Sequence, residues 1–282
     1  MENQIIAVIK EKGKTSRDIV NELCKVFNTK KVGHTGTLDP LATGVLIVCF
    51  NKYTKLVDLI TSDNKEYIAT VKLGILTDTL DVTGNVLKES ACSVVKEDVI
   101  KALKFYTKTY IQEVPIYSAV KVNGRKLYDY ARNGVAVELP KKEVTIYKSE
   151  LLDFNEDSFT FKVLVSKGTY IRSLINDICN HLNVIGVMSD LVRTKQGKIS
   201  IENSYTIEDI KNNNYKVCNL NEVLLYDTIV IDSKEYFLVK NGVKISKNVT
   251  DGLYFIKYND VIICIYEFNN NVGKMKVYLE NK

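Results

Sequence analysis

The stretch KVGHTGTLDPLATG, residues 31–44, carries three glycines and an Asp39–Pro40 step, then runs directly into the apolar segment 45–50. Glycine loses the most conformational freedom on folding, so such a stretch disfavours a regular element. Proline keeps the residue before it out of the helical region. An irregular loop must therefore present the Asp39 carboxylate and then enter a buried strand. The loop is not a Walker A sequence, because no Gly-Lys-Ser/Thr follows, and its glycine spacing is not that of a Rossmann fingerprint. Gly33 to Gly36 fits the GxxG of a KH loop, a spacing that often arises by chance. Taken alone, the Asp–Pro step reads as a turn.

The segments around this loop predict a mixed fold. Residues 5–9, IIAVI, read as a short buried strand. Thr15 and Asp18 have capping-box spacing, and Ile19, Val20, Leu23, Val26 and Phe27 share one helical face. Residues 66–73 alternate, with Tyr67, Ala69, Val71 and Leu73 on one side. A helix is expected around 97–105, strands at 144–152 and 159–165, and a helix after Gly168 with the stripe Ile171, Leu174, Ile175, Ile178 and Leu182. Residues 204–222 are polar and read as a connection. From about Leu224 the pattern becomes VKNGVKI, GLYFIKY, VIICIYEF and KMKVYL, short strands separated by turn residues. The mixture of strands and amphipathic helices indicates α+β or mixed α/β, followed by a small all-β C-terminal domain. The expected boundaries are 1–222 and 223–282, with an insertion at about 106–142.

Composition narrows the function classes. The six cysteines are scattered without a Cys-x-x-Cys pair, and the only histidines are His34 and His181, so no zinc site is expected. No apolar run approaches a membrane span, and the N-terminal apolar stretch is too short for a secretory signal. A cytoplasmic monomer is the expectation. The net charge of +5 permits an anionic partner without demanding one. Seventeen tyrosines among many lysines suit RNA, where bases stack on rings and ammonium groups meet phosphates. A general Lys/Asn/Ile/Tyr-rich bias explains the same counts equally well.

The full string GHTGTLDPLATG decides between the readings of Asp39. It resembles the signature of the TruB family of pseudouridine synthases, in which the aspartate is catalytic. Further blocks extend the resemblance: Tyr67 with the downstream KLG and TDTLDVTG, PIYSAVKVNGRKLYDYAR at 115–132, SKGTYIR at 166–172 and LVRTKQG at 191–197. It covers nearly all of residues 5–200. The last 60 residues resemble, much more weakly, the PUA-type domain that many members carry. One departure stands out. The family commonly has Lys-Pro-x-Gly near the N-terminus, where this chain has Lys10-Glu11-Lys12-Gly13.

The resemblance implies an α+β fold, with a central mixed, largely antiparallel sheet flanked by helices, and isomerisation of uridine 55 in the tRNA T-loop, without a cofactor. Asp39 would be the catalytic carboxylate, and a neighbouring cation favours the ionised form of such a group. Arg172 is the matching partner. Tyr67 would stack on the target base and move a proton, and Tyr170 and Leu191 would wall the pocket. His34, placed at the apex of the glycine-rich loop, would brace RNA after the base is flipped out. Lys10 and Lys55 are candidate substrate contacts, Lys10 through phosphate. Lys121, Arg125 and Lys126, interleaved with Tyr117, Tyr128 and Tyr130, suit a phosphate-plus-stacking surface. The first strand begins at about residue 5, so the reading favours an enzyme that needs no guide RNA.

Overall fold

The computed structural model describes residues 3–61 and 64–280. In chain order the first elements are β1 (Ile5–Lys10), α1 (Ser16–Val26), β2 (Val32–His34), β3 (Thr43–Phe50), α2 (Val57–Thr61) and β4 (Lys65–Leu73). A hairpin of β5 (Ile75–Thr77) and β6 (Val86–Glu89) leads to α3 (Lys96–Tyr106) and β7 (Thr109–Glu113). A second, two-residue hairpin, β8 (Lys121–Val122) and β9 (Arg125–Lys126), precedes α4 (Leu127–Arg132). Then come β10 (Lys141–Phe154), β11 (Ser158–Val165), α5 (Ile171–His181), β12 (Gly186–Gln196) and β13 (Ile199–Ser200).

The main sheet runs β1-β3-β12-β4-β11-β10-β7, with β2 added to β3 and β13 to β12. The β3–β12 pairing is parallel, while the other pairings of this sheet among the described residues are antiparallel. This is the α+β arrangement, a central mixed, largely antiparallel sheet flanked by helices, that the family resemblance implies. Strand β3 is apolar from Val45 to Phe50 because both of its faces are covered. Leu46, Val48 and Phe50 face α1 together with Ile6 and Val8. Val45, Ile47 and Cys49 face the other way with Ile5 and Ala7. Strand β4 instead alternates, and its inward residues Tyr67, Ala69, Val71 and Leu73 join a core with α3 and α5. Helix α1 starts where its capping box requires: Thr15 Oγ1 accepts from the Asp18 amide, and the Asp18 carboxylate accepts from the Thr15 amide.

Two stretches depart from the sequence reading. Residues 204–222 are not merely a polar connection. They contain α6 (Ile207–Lys211) and α7 (Leu220–Val223). Tyr205 pairs with β1 through two backbone hydrogen bonds of 2.8 and 2.9 Å, and Ile207 and Ile210 are buried against α1. The C-terminal part is a five-stranded sheet, β14-β16-β17-β18-β15, from β14 (Asp227–Val230), β15 (Ile245–Ser246), β16 (Gly252–Tyr258), β17 (Val261–Asn269) and β18 (Val272–Tyr278). It is strand-rich, but the segment read as the strand VKNGVKI is the end of α8 (Ser233–Lys240) and a turn that leads into β15 at Ile245. That helix sets Tyr236, Phe237, Leu238 and Val239 in one consecutive run of which Val239 alone is fully buried, so no helical stripe marks it.

Candidate active site

A cavity of about 280 Å³ opens between the glycine-rich loop, β4, β12, the start of α5 and the Ser118–Ala119 turn. Asp39, Tyr67, Tyr170, Arg172 and Leu191 all line it. These five come from four distant parts of the chain. The volume lies near the lower end of the range for small-molecule sites, roughly 300–1,000 Å³, so it suits one nucleoside rather than an oligonucleotide.

The Asp39 turn is held from several sides. The Leu38 amide donates to Ser16 Oγ at 2.8 Å, the Gly13 amide to Pro40 O at 2.8 Å, and the Ala42 amide to Asp39 O at 3.1 Å. Strand β12 holds the other end of the loop. Arg193 Nε donates to Val45 O at 2.6 Å and Nη2 to Gly36 O at 3.2 Å. Gln196 Nε2 donates to Thr35 O at 2.9 Å. Gly44 has a φ of +101°, and a Cβ there would collide with the Arg193 backbone, so a side chain is excluded where β3 meets β12.

Arg172 sits in the first turn of α5 and is 5% exposed. Its Nε lies 2.9 Å from Asp39 Oδ2, and its Nη2 donates to Asp39 Oδ1 at 3.3 Å. The remaining donors reach Thr79 O at 2.9 Å and Tyr117 O at 3.0 Å. The expected charge pair is therefore present, on a buried guanidinium. The Asp39 side chain stays about one-third exposed (34%), which leaves it open to a ligand in the cavity. Tyr67 and Leu191 are buried in the walls on β4 and β12. Burial pushes the Tyr170 phenol above its ordinary pKa.

The other candidates fall elsewhere. Lys10 is fully buried, and its ammonium donates to Glu11 O, Lys14 O and Pro40 O at 2.9, 2.6 and 3.3 Å. Its three protons are committed to backbone carbonyls, so the phosphate role is corrected to a structural tie on the Asp39 loop. Burial pulls its pKa down to about 8. His34 is not at a loop apex: it ends β2, paired with Val48. It lies outside the cavity lining, and its Nδ1 is buried without a hydrogen-bond partner. Lys55 is exposed in a 3₁₀ turn, Asn51–Leu56, away from the cavity. Lys121, Arg125 and Lys126 occupy the β8–β9 hairpin. Lys126 Nζ donates to Tyr128 Oη at 2.9 Å and lies over that ring, as does Arg132. This hairpin lies outside the lining, but Ser118 and Ala119 just before it belong to the cavity wall.

Sequence reasoning missed Lys65 and Arg193. Both line the cavity, and among the described residues its charged lining is Lys65, Arg172, Arg193 and Asp39. Arg193 is 1% exposed, and among the described residues no carboxylate pairs with it. Its position inside the LVRTKQG block was the available signal. The cavity therefore carries a positive bias suited to an anionic ligand such as a nucleotide.

Comparison with known proteins places this geometry. Residues 24–171 match the family model for the N-terminal domain of TruB family pseudouridylate synthases. A tRNA pseudouridine synthase B of Clostridium tetani is 45% identical over 96% of this chain and 94% of its own length. One from Fusobacterium nucleatum is 42% identical over 95% of this chain and 96% of its own length. Among solved structures, an H/ACA RNP bound to a substrate RNA containing 2′-deoxyuridine holds a chain similar in fold. The TM-score is 0.75 at 21% identity, covering 99% of this chain and 85% of that one. A family match over more than half of the sequence, and relatives this similar along nearly the whole of it, mean that the chain belongs to the TruB family of pseudouridylate synthases.

Proposed function

We propose that this chain isomerises uridine to pseudouridine at position 55 in the T-loop of tRNA, with Asp39 as the reacting carboxylate. The observation that carries the reading is the Asp39–Arg172 pair at the wall of a nucleoside-sized cavity. The relatives' names specify tRNA as their substrate class, and the cationic lining suits an RNA strand.

The reaction breaks the N1–C1′ bond, turns the uracil, and joins C5 to C1′. The C5 proton leaves and N1 gains one, so atoms and oxidation state balance without a cofactor. A base inside a folded loop is out of reach and must first be extruded into the cavity. Tyr67 would then stack on it, and Tyr170 and Leu191 would hold its edges. Arg172 fixes the carboxylate's orientation, which matters because misplacement of a reacting group by about 1 Å can cost 10²-fold. The β8–β9 hairpin, with Lys121, Arg125 and Lys126, would grip the T-arm backbone, and Lys55 would add a phosphate contact. The chain acts as a cytoplasmic monomer, needs no guide RNA, and divides at about 222/223 into a catalytic domain and a PUA-like RNA-binding domain.

The test is a mass-neutral isomerisation assay on unmodified tRNA without guide RNA. Wild-type protein should convert uridine 55. Asp39→Asn should abolish conversion while leaving tRNA affinity within about tenfold, since many phosphate contacts carry affinity. Substantial turnover by Asp39→Asn, or dependence of the wild type on an added guide, would sink the proposal.

A further inference from the structure

We propose that Gln112 is a positioning residue for the Asp39–Arg172 pair, acting through the amide of Tyr170; the proposal rests on the reading of the cavity given above. Tyr170 is the N-cap of α5 and supplies no side-chain cap. Helix starts leave N–H groups that need outside partners. The Tyr170 amide finds one on a different element: it donates to Gln112 Oε1 at 2.8 Å. Gln112 lies on β7 and is 1% exposed.

The other end of the same amide completes a clamp. Gln112 Nε2 donates to Tyr110 Oη at 2.8 Å, and Tyr110 Oη donates to Asp177 Oδ2 at 3.0 Å. Asp177 lies on α5, about two turns beyond the cap. Tyr106 Oη donates to Asp177 O at 3.1 Å, and Ser173 Oγ donates to Glu113 O at 2.8 Å. The chain of bonds thus leaves α5 at Tyr170, crosses β7, and returns to α5 at Asp177. Arg172 stands between the two anchor points. Its guanidinium can hold Asp39 at 2.9 Å only if the helix start keeps its position.

The direction of every bond is set by chemistry. Burial raises the pKa of Asp177, but in its carboxylate form it only accepts, so Tyr110 spends its single proton on Asp177. Tyr110 Oη can then only accept, and the donor must be the Gln112 NH₂ group. That leaves Oε1 for the Tyr170 amide. A side chain with one acceptor and one donor end satisfies both neighbours, and leucine satisfies neither. A carboxylate of the same shape satisfies both only when it is protonated.

This asymmetry supplies the experiment. Single-turnover rates and RNA affinities on a T-arm stem-loop would be measured across pH for wild type, Gln112→Leu and Gln112→Glu. Gln112→Leu should lower the rate by roughly 10–100-fold, the scale of a small misplacement. Its affinity should remain within about threefold, because phosphate contacts are untouched. For Gln112→Glu, the rate relative to wild type should climb as pH falls, because the protonated carboxyl restores the donor to Tyr110. Burial and the Asp177 and Glu113 carboxylates raise the pKa of the introduced group, whereas Lys142, its register partner on β10, lowers it. Tyr106 from α3 and Tyr110 from β7 complete its surroundings.

A Gln112→Glu ratio that stays flat with pH, high or low, overturns the proposal. So does a Gln112→Leu protein with wild-type rate, or one whose loss lies in RNA affinity. If Gln112→Leu does not fold, the Gln112→Glu profile decides alone. Wild-type protein that fails to modify the stem-loop overturns the reading of the cavity itself and this role with it, whereas an active wild type beside a flat Gln112→Glu ratio removes Gln112 alone.

Discussion

The guanidinium of Arg172 meets the carboxylate of Asp39 side-on, Nε to Oδ2 at 2.9 Å and Nη2 to Oδ1 at 3.3 Å. The same group donates to Thr79 O and Tyr117 O. One side chain therefore joins the Asp39 loop, the segment after β5 and the approach to the β8–β9 hairpin. Substituting it has two separable consequences. Arg172→Ala should slow isomerisation by several orders of magnitude. It should also destabilise the fold, because two carbonyls lose their donor at about 1–3 kcal/mol each where they stay dry. Arg172→Lys keeps the charge but cannot present a planar fork to three acceptors. It should remain folded by thermal melting, bind RNA within about tenfold of wild type, and still lose most of its rate. A lysine variant with near-wild-type turnover would show that charge alone suffices.

Lys10 yields a prediction about pH. Burial lowers its pKa from the ordinary 10.5 to about 8. A group whose folded pKa is depressed binds fewer protons folded than unfolded between those two values. Stability rises with pH wherever the unfolded state binds more protons. The melting temperature of wild type relative to Lys10→Met should therefore increase as pH is raised from about 8 to 10.5, the window those pKa values define. Below that window the difference should be flat. A decreasing difference would mean that the three carbonyl bonds dominate and hold the ammonium form.

The C-terminal sheet is not a detachable appendage. Phe255, Ile265, Val277 and Leu279 share one core with Ile5, Ala7, Val45, Ile47 and Cys49 of the main sheet. Removing residues 224–282 would expose that whole face of β1 and β3, a patch far larger than a soluble monomer tolerates. The expected outcome is an insoluble or strongly destabilised product, measured by soluble yield and melting temperature. The proposed RNA-binding role of this region is tested by charge-removing substitutions on its surface, which should lower the salt slope by about one per lost phosphate contact. A soluble truncation with an unchanged melting temperature would contradict the shared core.

The sequence made the regular elements legible wherever burial is periodic. β4 alternates because one of its faces is the core, and β3 does not because both are. Helix α6 was missed although Thr206 and Asp209 carry the same capping-box spacing as Thr15 and Asp18. Its five residues are too few for a stripe to stand out among the surrounding asparagines. The walls of the cavity were legible through motif resemblance, but the wiring behind them was not. Nothing local to Lys10 says that its ammonium folds back onto Pro40. Gln112 looks like any strand residue until Tyr110 and Tyr170 converge on it. Such roles arise from tertiary pairing of side chains far apart in sequence, which single-segment patterns do not encode.

His34 carries the last prediction, and the structure changes its basis. The imidazole ends β2 two residues before Gly36, half-buried, rather than capping an exposed loop. Burial lowers its pKa, and the charges of Arg17 and Arg193 lower it further. Both effects favour the neutral ring. Extruding a stacked base loses roughly a few kcal/mol. Stacking on Tyr67 can offset part of it, at roughly 1–3 kcal/mol for a base on an aromatic ring. A neutral, apolar-bodied imidazole beside the loop could brace the opened RNA and offset more. His34→Ala should therefore slow modification of a folded T-arm more than that of a variant RNA unable to form its loop interactions. A fluorescent base analogue would show the delay in the extrusion step. A second consequence concerns stability. A histidine with depressed folded pKa contributes stability that is present above its unfolded pKa, about 6.5, and is lost as pH falls through the folded value. The melting temperature of His34→Ala should therefore be less sensitive to acid than that of wild type. Equal slowing of both RNAs would leave the acid effect intact and would confine His34 to holding the loop.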